Sequence, residues 1–86
     1  MKKTRQSKFK NVIGPRVKTA REKSKPLVSQ SDLCGRLAAQ GVMLEQPAIS
    51  KLENRQRYVM GYEALAIAKA LRVSIDWLYG GEAENC

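Results

Sequence analysis

The side chains that most often perform chemistry in proteins are sparse in this sequence. It contains no histidine, and its two cysteines, Cys34 and Cys86, stand far apart without a CxxC pair. A zinc site needs closely spaced Cys or His ligands, so we expect no metal and no cofactor. We also find no nucleophile beside a base, no pair of carboxylates in a plausible cleft and no glycine-rich phosphate loop. The sequence therefore argues against an enzyme.

Positive charge is concentrated at the start of the chain. The 86 residues carry a net charge of +8. Residues 1–25 contain ten Lys or Arg and one acid, a net charge of +9, whereas residues 26–86 are close to neutral at −1. A positive region of this kind suits a polyanionic partner. For residues 1–8 alone, a solvated and flexible basic tail is an equally open interpretation.

Three polar side chains share the outer face of one short predicted helix. Gln46, Ser50 and Lys51 point outward at helical spacing, while Ile49 and Leu52 point inward. Amide, hydroxyl and ammonium groups can bond to base edges or phosphates. Their types alone, however, favour the simpler interpretation of a solvated polar face.

The rest of the chain follows the same helical periodicity, with five short helices and no credible strand. We predict an all-α fold with one domain at residues 9–81, a flexible basic arm at 1–8 and a frayed tail at 82–86. In the first helix, Asn11 is the expected N-cap. Its inner face is predicted to be Ile13, Val17 and Ala20, and its outer residues Arg16, Lys18, Arg21 and Lys23.

The second and third predicted helices are joined by a short turn. Ser29 and Asp32 form a capping box at the start of the second helix, and Gly41 ends it. A close approach by another helix would explain Gly35 within it. Glu45 is expected to cap the third helix, which ends at Asn54. The inward residues of the second helix are predicted to be Leu33, Cys34, Leu37 and Ala38.

The last two predicted helices supply more of the core. The fourth spans about residues 61–71, and Ser74 caps a short fifth helix. The expected core residues are Leu65, Ile67, Ala68, Leu71, Ile75, Trp77 and Leu78. No apolar run approaches the length of about 20 residues that crosses a bilayer, so we expect a cytoplasmic protein.

Three segments in order carry a family resemblance. They are VSQSDLC at residues 28–34, AISKLEN at 48–54 and EALAIAKALRVSIDWLYGG at 63–81. In this order and spacing, the chain resembles the lambda-repressor-like (Xre/Cro type) helix-turn-helix family over about residues 13–80. The turn at 41–45 is about one residue longer than the commonest version. Glu45 stands where Ser or Thr is usual, and Pro47 where a polar base-reading residue often lies.

The resemblance implies binding to double-stranded DNA, with residues 29–54 as the reading unit and the third helix in the major groove. Gln46 is suited to adenine, and Lys51 to guanine or a phosphate. The implied base contacts are Gln46, Pro47, Ser50 and Lys51. The implied phosphate contacts are Ser29, Gln30, Arg36, Asn54, Arg55 and Arg57.

The family resemblance also implies a biological role. We expect a transcriptional regulator, a repressor that occludes an operator as a homodimer, with a dimer contact at Trp77, Leu78 and Tyr79. Arg5 and Lys8 of the basic arm are expected to reach the DNA backbone or a minor groove. The alternative is an antitoxin, or another protein-interaction module that uses the same fold to bind a protein partner.

Overall fold

The computed structural model describes residues 9–81, and this range forms five α-helices and no strand. The helices are α1 (Gly14–Lys23), α2 (Gln30–Ala38), α3 (Gln46–Glu53), α4 (Gly61–Leu71) and α5 (Ile75–Leu78). The predicted all-α fold of five short helices is confirmed. The predicted arm at residues 1–8 and tail at 82–86 lie outside the described residues.

Local sequence signals determine where several helices begin and end. The predicted N-cap of α1 was wrong by two residues, because Ile13 holds that position. The side-chain oxygen of Asn11 nevertheless accepts a hydrogen bond of 2.8 Å from the backbone N–H of Gly14, the first residue of α1. Gly41 has a φ of 81°, the left-handed conformation expected of the residue that stops α2. The Ser74 hydroxyl accepts a 2.9 Å bond from the backbone N–H of Trp77 and caps α5, as predicted.

The core lies where α1 and α2 each pack against both α3 and α4, and α5 closes it against α4. None of the helices in residues 9–81 combines the length and apolarity needed to cross a membrane. The largest fully buried side chains come from all five helices and the segments beside them: Ile13, Val17, Val28, Leu33, Leu37, Ile49, Leu52, Ile67 and Leu78.

The predicted inner face of α4 was partly wrong. Leu65 is 60% exposed, whereas Ile67 is fully buried. The reason is that α4 contacts α1, α2 and α5, so its small residues face the other helices and only a narrow strip remains outside. Ile75, at 37% exposure, was also wrongly placed in the core. Ala38 is exposed as well, because it lies at the last turn of α2.

The close helix approach predicted at Gly35 occurs instead at Gly14. A Cβ atom added to Gly35 would meet nothing within 4 Å. A Cβ atom on Gly14 would overlap the backbone carbonyl oxygens of Leu52 and Glu53, at the end of α3. The absence of a side chain at Gly14 therefore lets the start of α1 rest directly on the end of α3.

Candidate nucleic-acid interface

The starts of α2 and α3 lie side by side. Gln30 is the first residue of α2 and Gln46 the first of α3. The Gln46 side-chain Nε2 donates to Oε1 of Gln30 at 3.4 Å. The structure thus brings together one residue predicted to contact a base and one predicted to contact a phosphate.

A complete capping box fixes the start of α2. The Ser29 hydroxyl accepts from the Asp32 backbone N–H at 3.0 Å, and the Asp32 carboxylate accepts from the Ser29 backbone N–H at 3.0 Å. These hydrogen bonds lower the pKa of Asp32 below its usual range. The predicted capping box is confirmed, and it holds Gln30 at a rigid helix end.

A buried ion pair that the sequence interpretation missed lies beneath Gln30. Arg21 was predicted to be an outer residue of α1, but it is 7% exposed and faces the end of α3. Its Nε donates to Oε2 of Glu53 at 2.7 Å, and its Nη2 donates to Oε1 of the same carboxylate at 3.0 Å. The hydrogen bonding to Glu53 raises the pKa of Arg21. The correction has a physical reason: this bidentate pairing compensates the burial of both charges.

The same carboxylate also holds Gln30. Nε2 of Gln30 donates to Oε1 of Glu53 at 3.0 Å. The sequence signal for Glu53 was its position in the family segment AISKLEN, directly after the core residue Leu52. Its partner Arg21 is 32 residues away in sequence, and helical periodicity does not reveal such pairings.

Most of the predicted base-contacting residues are accessible on α3. Gln46, Pro47 and Lys51 are exposed, and Ser50 is half-buried. Glu45 occupies the N-cap position of α3, but its side chain makes no capping hydrogen bond, so the predicted cap by its carboxylate was wrong. The start of α3 tolerates the missing side-chain cap, because Pro47 in its first turn has no backbone N–H that needs a partner.

The predicted phosphate-contacting arginines hold protein groups in this structure. Arg36 donates from Nη1 to the carbonyl oxygen of Ala70 at 2.8 Å, near the end of α4. Arg57 pairs with the buried carboxylate of Glu63 at 3.1 Å. Both residues are therefore oriented by α4, and their contact with phosphate stays a prediction.

The loop after α3 is tied to the first described residues of the chain. Arg55 donates from Nε to the carbonyl oxygen of Asn11 at 3.0 Å, and its guanidinium lies 4.1 Å from the ring centroid of Phe9. The backbone N–H of Lys10 donates to the Arg55 carbonyl at 3.0 Å. Asn54 is exposed at the end of α3. The basic residues Lys10 and Arg55 therefore both lie near the end of α3.

Residues 9–81 contain no group of three or more His, Cys, Asp or Glu side chains placed to hold a metal ion. Cys34 is partly buried against the core, as a small residue of α2, and this burial raises the pKa of its thiol. The candidate interface itself presents amide, hydroxyl and cationic side chains.

No protein-family model matches this chain, and no curated protein matches it. A solved structure does: the P22 c2 repressor protein in complex with the synthetic operator 9T in the presence of Tl+. The two chains are 32% identical, the TM-score is 0.66, and the match covers 84% of this chain and 98% of that one. The sequence motifs, the five-helix fold and this likeness together show that the chain belongs to the lambda-repressor-like helix-turn-helix family.

Proposed function

We propose that the protein is a sequence-specific regulator of transcription that binds double-stranded DNA and represses by occluding an operator. The observation that carries the proposal is the exposed start of α3, where Gln46 is held against Gln30 at the start of α2. The major groove of DNA admits an α-helix, and its base edges present distinguishable donors and acceptors. The similar P22 c2 repressor is solved with an operator.

In the proposed complex, residues of α3 specify the sequence and residues around it fix the position. Gln46, Pro47, Ser50 and Lys51 face the base edges. The phosphate contacts are proposed for Ser29, Gln30 and Asn54, together with Arg36, Arg55 and Arg57 if these arginines release their present partners. Contacts to phosphate carry no sequence information of their own, so α3 supplies the specificity.

The proposal includes a homodimer on a two-fold site in the cytoplasm. A single domain of this size makes few base contacts, and a second copy one helical turn along the duplex doubles them. Of the residues expected at the dimer contact, Leu78 is fully buried within its own chain and is unavailable. Tyr79 is 51% exposed and Ile75 is 37% exposed, so we assign the contact to these side chains and the exposed part of Trp77.

Selection of bound sequences from a random duplex library tests the proposal. We expect enrichment of a symmetric sequence with two equal half-sites. In Gln46→Ala and Lys51→Ala variants, binding to the enriched duplex should weaken by roughly 1–3 kcal/mol per lost base contact. Lys69→Gln, on the exposed side of α4, is the matched control and should bind like the wild type. Retention of full affinity in the double Gln46→Ala, Lys51→Ala variant contradicts the proposal.

A further inference from the structure

The first described residues lie along the loop that follows α3 and contact it at three successive positions. The ring of Phe9 has its centroid 4.1 Å from the Arg55 guanidinium. Lys10 donates its backbone N–H to the Arg55 carbonyl at 3.0 Å, and its Nζ lies 5.3 Å from the ring centroid of Tyr58. The side-chain amide of Asn11 donates to backbone carbonyls on both sides of Arg55, at 3.1 and 2.8 Å. We call these five residues the clasp.

The backbone at Arg55 has a conformation that arginine rarely adopts. Its φ is 64°, in the left-handed region, and it directly follows Asn54, the C-cap of α3. Glycine is the usual residue just past a helix in this conformation, because a side chain adds a steric cost. The contacts that compensate this cost are those of the Arg55 side chain with Phe9 and with the carbonyl oxygen of Asn11.

The contacts of the Arg55 guanidinium leave its outer nitrogens available. Nε donates to the Asn11 carbonyl at 3.0 Å, and one face of the group lies over the ring of Phe9. Neither Nη1 nor Nη2 has a hydrogen-bonding partner among residues 9–81. A planar guanidinium with two donors free matches the oxygens of a phosphate. Arg55 can therefore meet a phosphate and keep both of its partners, so no release is needed at this residue.

The positive charges of the clasp are not neutralised by carboxylates. Within residues 9–81, neither Lys10 nor Arg55 forms an ion pair. The carboxylates on either side of the loop in the sequence, Glu53 and Glu63, are buried and each paired with another arginine. A ring face or a carbonyl oxygen orients a cation without cancelling its charge. The clasp thus holds two cations in place and leaves both to attract an anion.

We infer that the clasp binds phosphate groups of the DNA backbone, with Lys10 as a phosphate ligand and Phe9 as the residue that positions Arg55. The inference rests on the proposed function, because it takes DNA as the source of the phosphate. The clasp adjoins the end of α3, and the end of a helix that enters the major groove meets the backbone bordering that groove. A free phosphate ion has the same chemistry, and the experiments below separate the two sources.

An uncharged substitution tests the role of Phe9. Phe9→Leu keeps an apolar side chain but removes the ring face under Arg55. Each phosphate contact contributes about 0.9 to the slope of log affinity against log salt, which is about sixfold in affinity between about 50 and about 400 mM salt. Phe9→Leu should lower the slope by roughly 0.4 to 0.9, and Phe9→Tyr should retain the wild-type slope. Because Phe9→Leu changes no charge, a wild-type slope in this variant overturns the positioning role.

Removal of each cation tests the two ligands separately. Lys10→Gln and Arg55→Gly should each lower the slope by about 0.9, on the enriched duplex and on a scrambled one alike. Arg55→Gly also suits the left-handed backbone, so the fold should survive it. In the Arg55→Gly background, Phe9→Leu should lower the slope no further, because it acts through Arg55. Lys69→Gln, on the exposed side of α4, removes one charge outside the clasp and should keep the wild-type slope.

Neutral methylphosphonates, placed one at a time in the enriched duplex, locate the phosphate. At one position the replacement should weaken wild-type binding by about tenfold and should hardly affect Arg55→Gly. Calorimetric titration with inorganic phosphate alone tests the other source. We expect no binding of the free ion at about 1 mM, because DNA brings many phosphates to the protein at once. Binding of the free ion, together with no position that distinguishes Arg55→Gly, overturns the assignment to DNA.

The outcomes separate this inference from the proposed function. If no sequence is enriched but the variants lower the salt slope on any duplex, sequence-specific regulation fails and the clasp stands. If a sequence is enriched but Lys10→Gln and Phe9→Leu keep the wild-type slope, the inference alone is overturned. If the wild type binds no duplex, both fail.

Discussion

Glu53 and Glu63 are buried carboxylates that each pair with an arginine, and the two pairs connect different parts of the fold. Glu53 joins α1, α2 and the end of α3 through Arg21 and Gln30. Glu63, at 4% exposure, accepts the Met60 backbone N–H at 2.9 Å and the guanidinium of Arg57. It therefore connects the start of α4 to the loop that follows α3. Replacing Glu53 would leave Arg21 buried without its partner, which typically costs about 3–5 kcal/mol. Replacing Glu63 would cost less, because Arg57 is partly exposed and water can solvate it.

The pKa of Glu63 predicts how stability depends on acid. Burial alone would raise this pKa, but the hydrogen bonds from Arg57 and Met60 outweigh it and lower the pKa below the ordinary 4.5. The stabilisation from Glu63 is therefore present above the pKa of the unfolded chain and is lost as the pH falls through the lower folded value. Urea unfolding of Glu63→Gln should show a smaller free energy at neutral pH and a flatter decline with acid than the wild type. Parallel pH profiles would contradict this account.

At the scale of helices, the sequence predicted well which segments are helical and where several of them begin. It predicted less well which face of a helix is buried. Capping residues such as Ser29 and Ser74 act on their own first turns, so their effect is readable from neighbouring residues. The orientation of α4 depends on three helices around it, and that arrangement exposes Leu65 where periodicity placed it inside. The candidate site followed the same division. Gln30 lies in a family segment and Gln46 was predicted from the polar face of the third helix, while the burial of the distant Arg21 was not predicted.

Two glycines in helices give a matched pair for testing the helix packing. Gly14→Ala should destabilise the fold by roughly 1–3 kcal/mol, because the new Cβ meets backbone carbonyls at the end of α3 and these move little. Gly35→Ala should stabilise it by about 0.5–1 kcal/mol, because the site is open and alanine favours a helix. Thermal and urea unfolding measure both. Equal effects of the two substitutions would show that α1 does not rest on α3 in this way.

At the scale of the whole molecule, the first described residues and the loop after α3 meet at the end of α3. The described residues from 9 to 25 contribute six Lys or Arg residues, of which Arg21 is buried. Phe9 lies against Arg55 in the loop that follows α3. The start of α3 offers few polar readers, since Glu45 and Pro47 replace residue types that commonly contact DNA. Under the proposed function, affinity should then depend strongly on charge, and discrimination between sequences on the short polar face of α3.

Removal of residues 1–8 tests this division between affinity and specificity. The segment contains four cations, Lys2, Lys3, Arg5 and Lys8. Each phosphate contact contributes about 0.9 to the slope of log affinity against log salt, so full engagement of the segment predicts a decrease in slope of roughly 3 to 4. Fluorescence anisotropy over a salt series, with the enriched duplex and a scrambled one, measures the slope and the specificity ratio together. The ratio should stay near the wild-type value, because contacts to phosphate strengthen binding to both duplexes alike. An unchanged slope would mean that these cations do not touch DNA, and a collapsed ratio would mean that the segment reads bases.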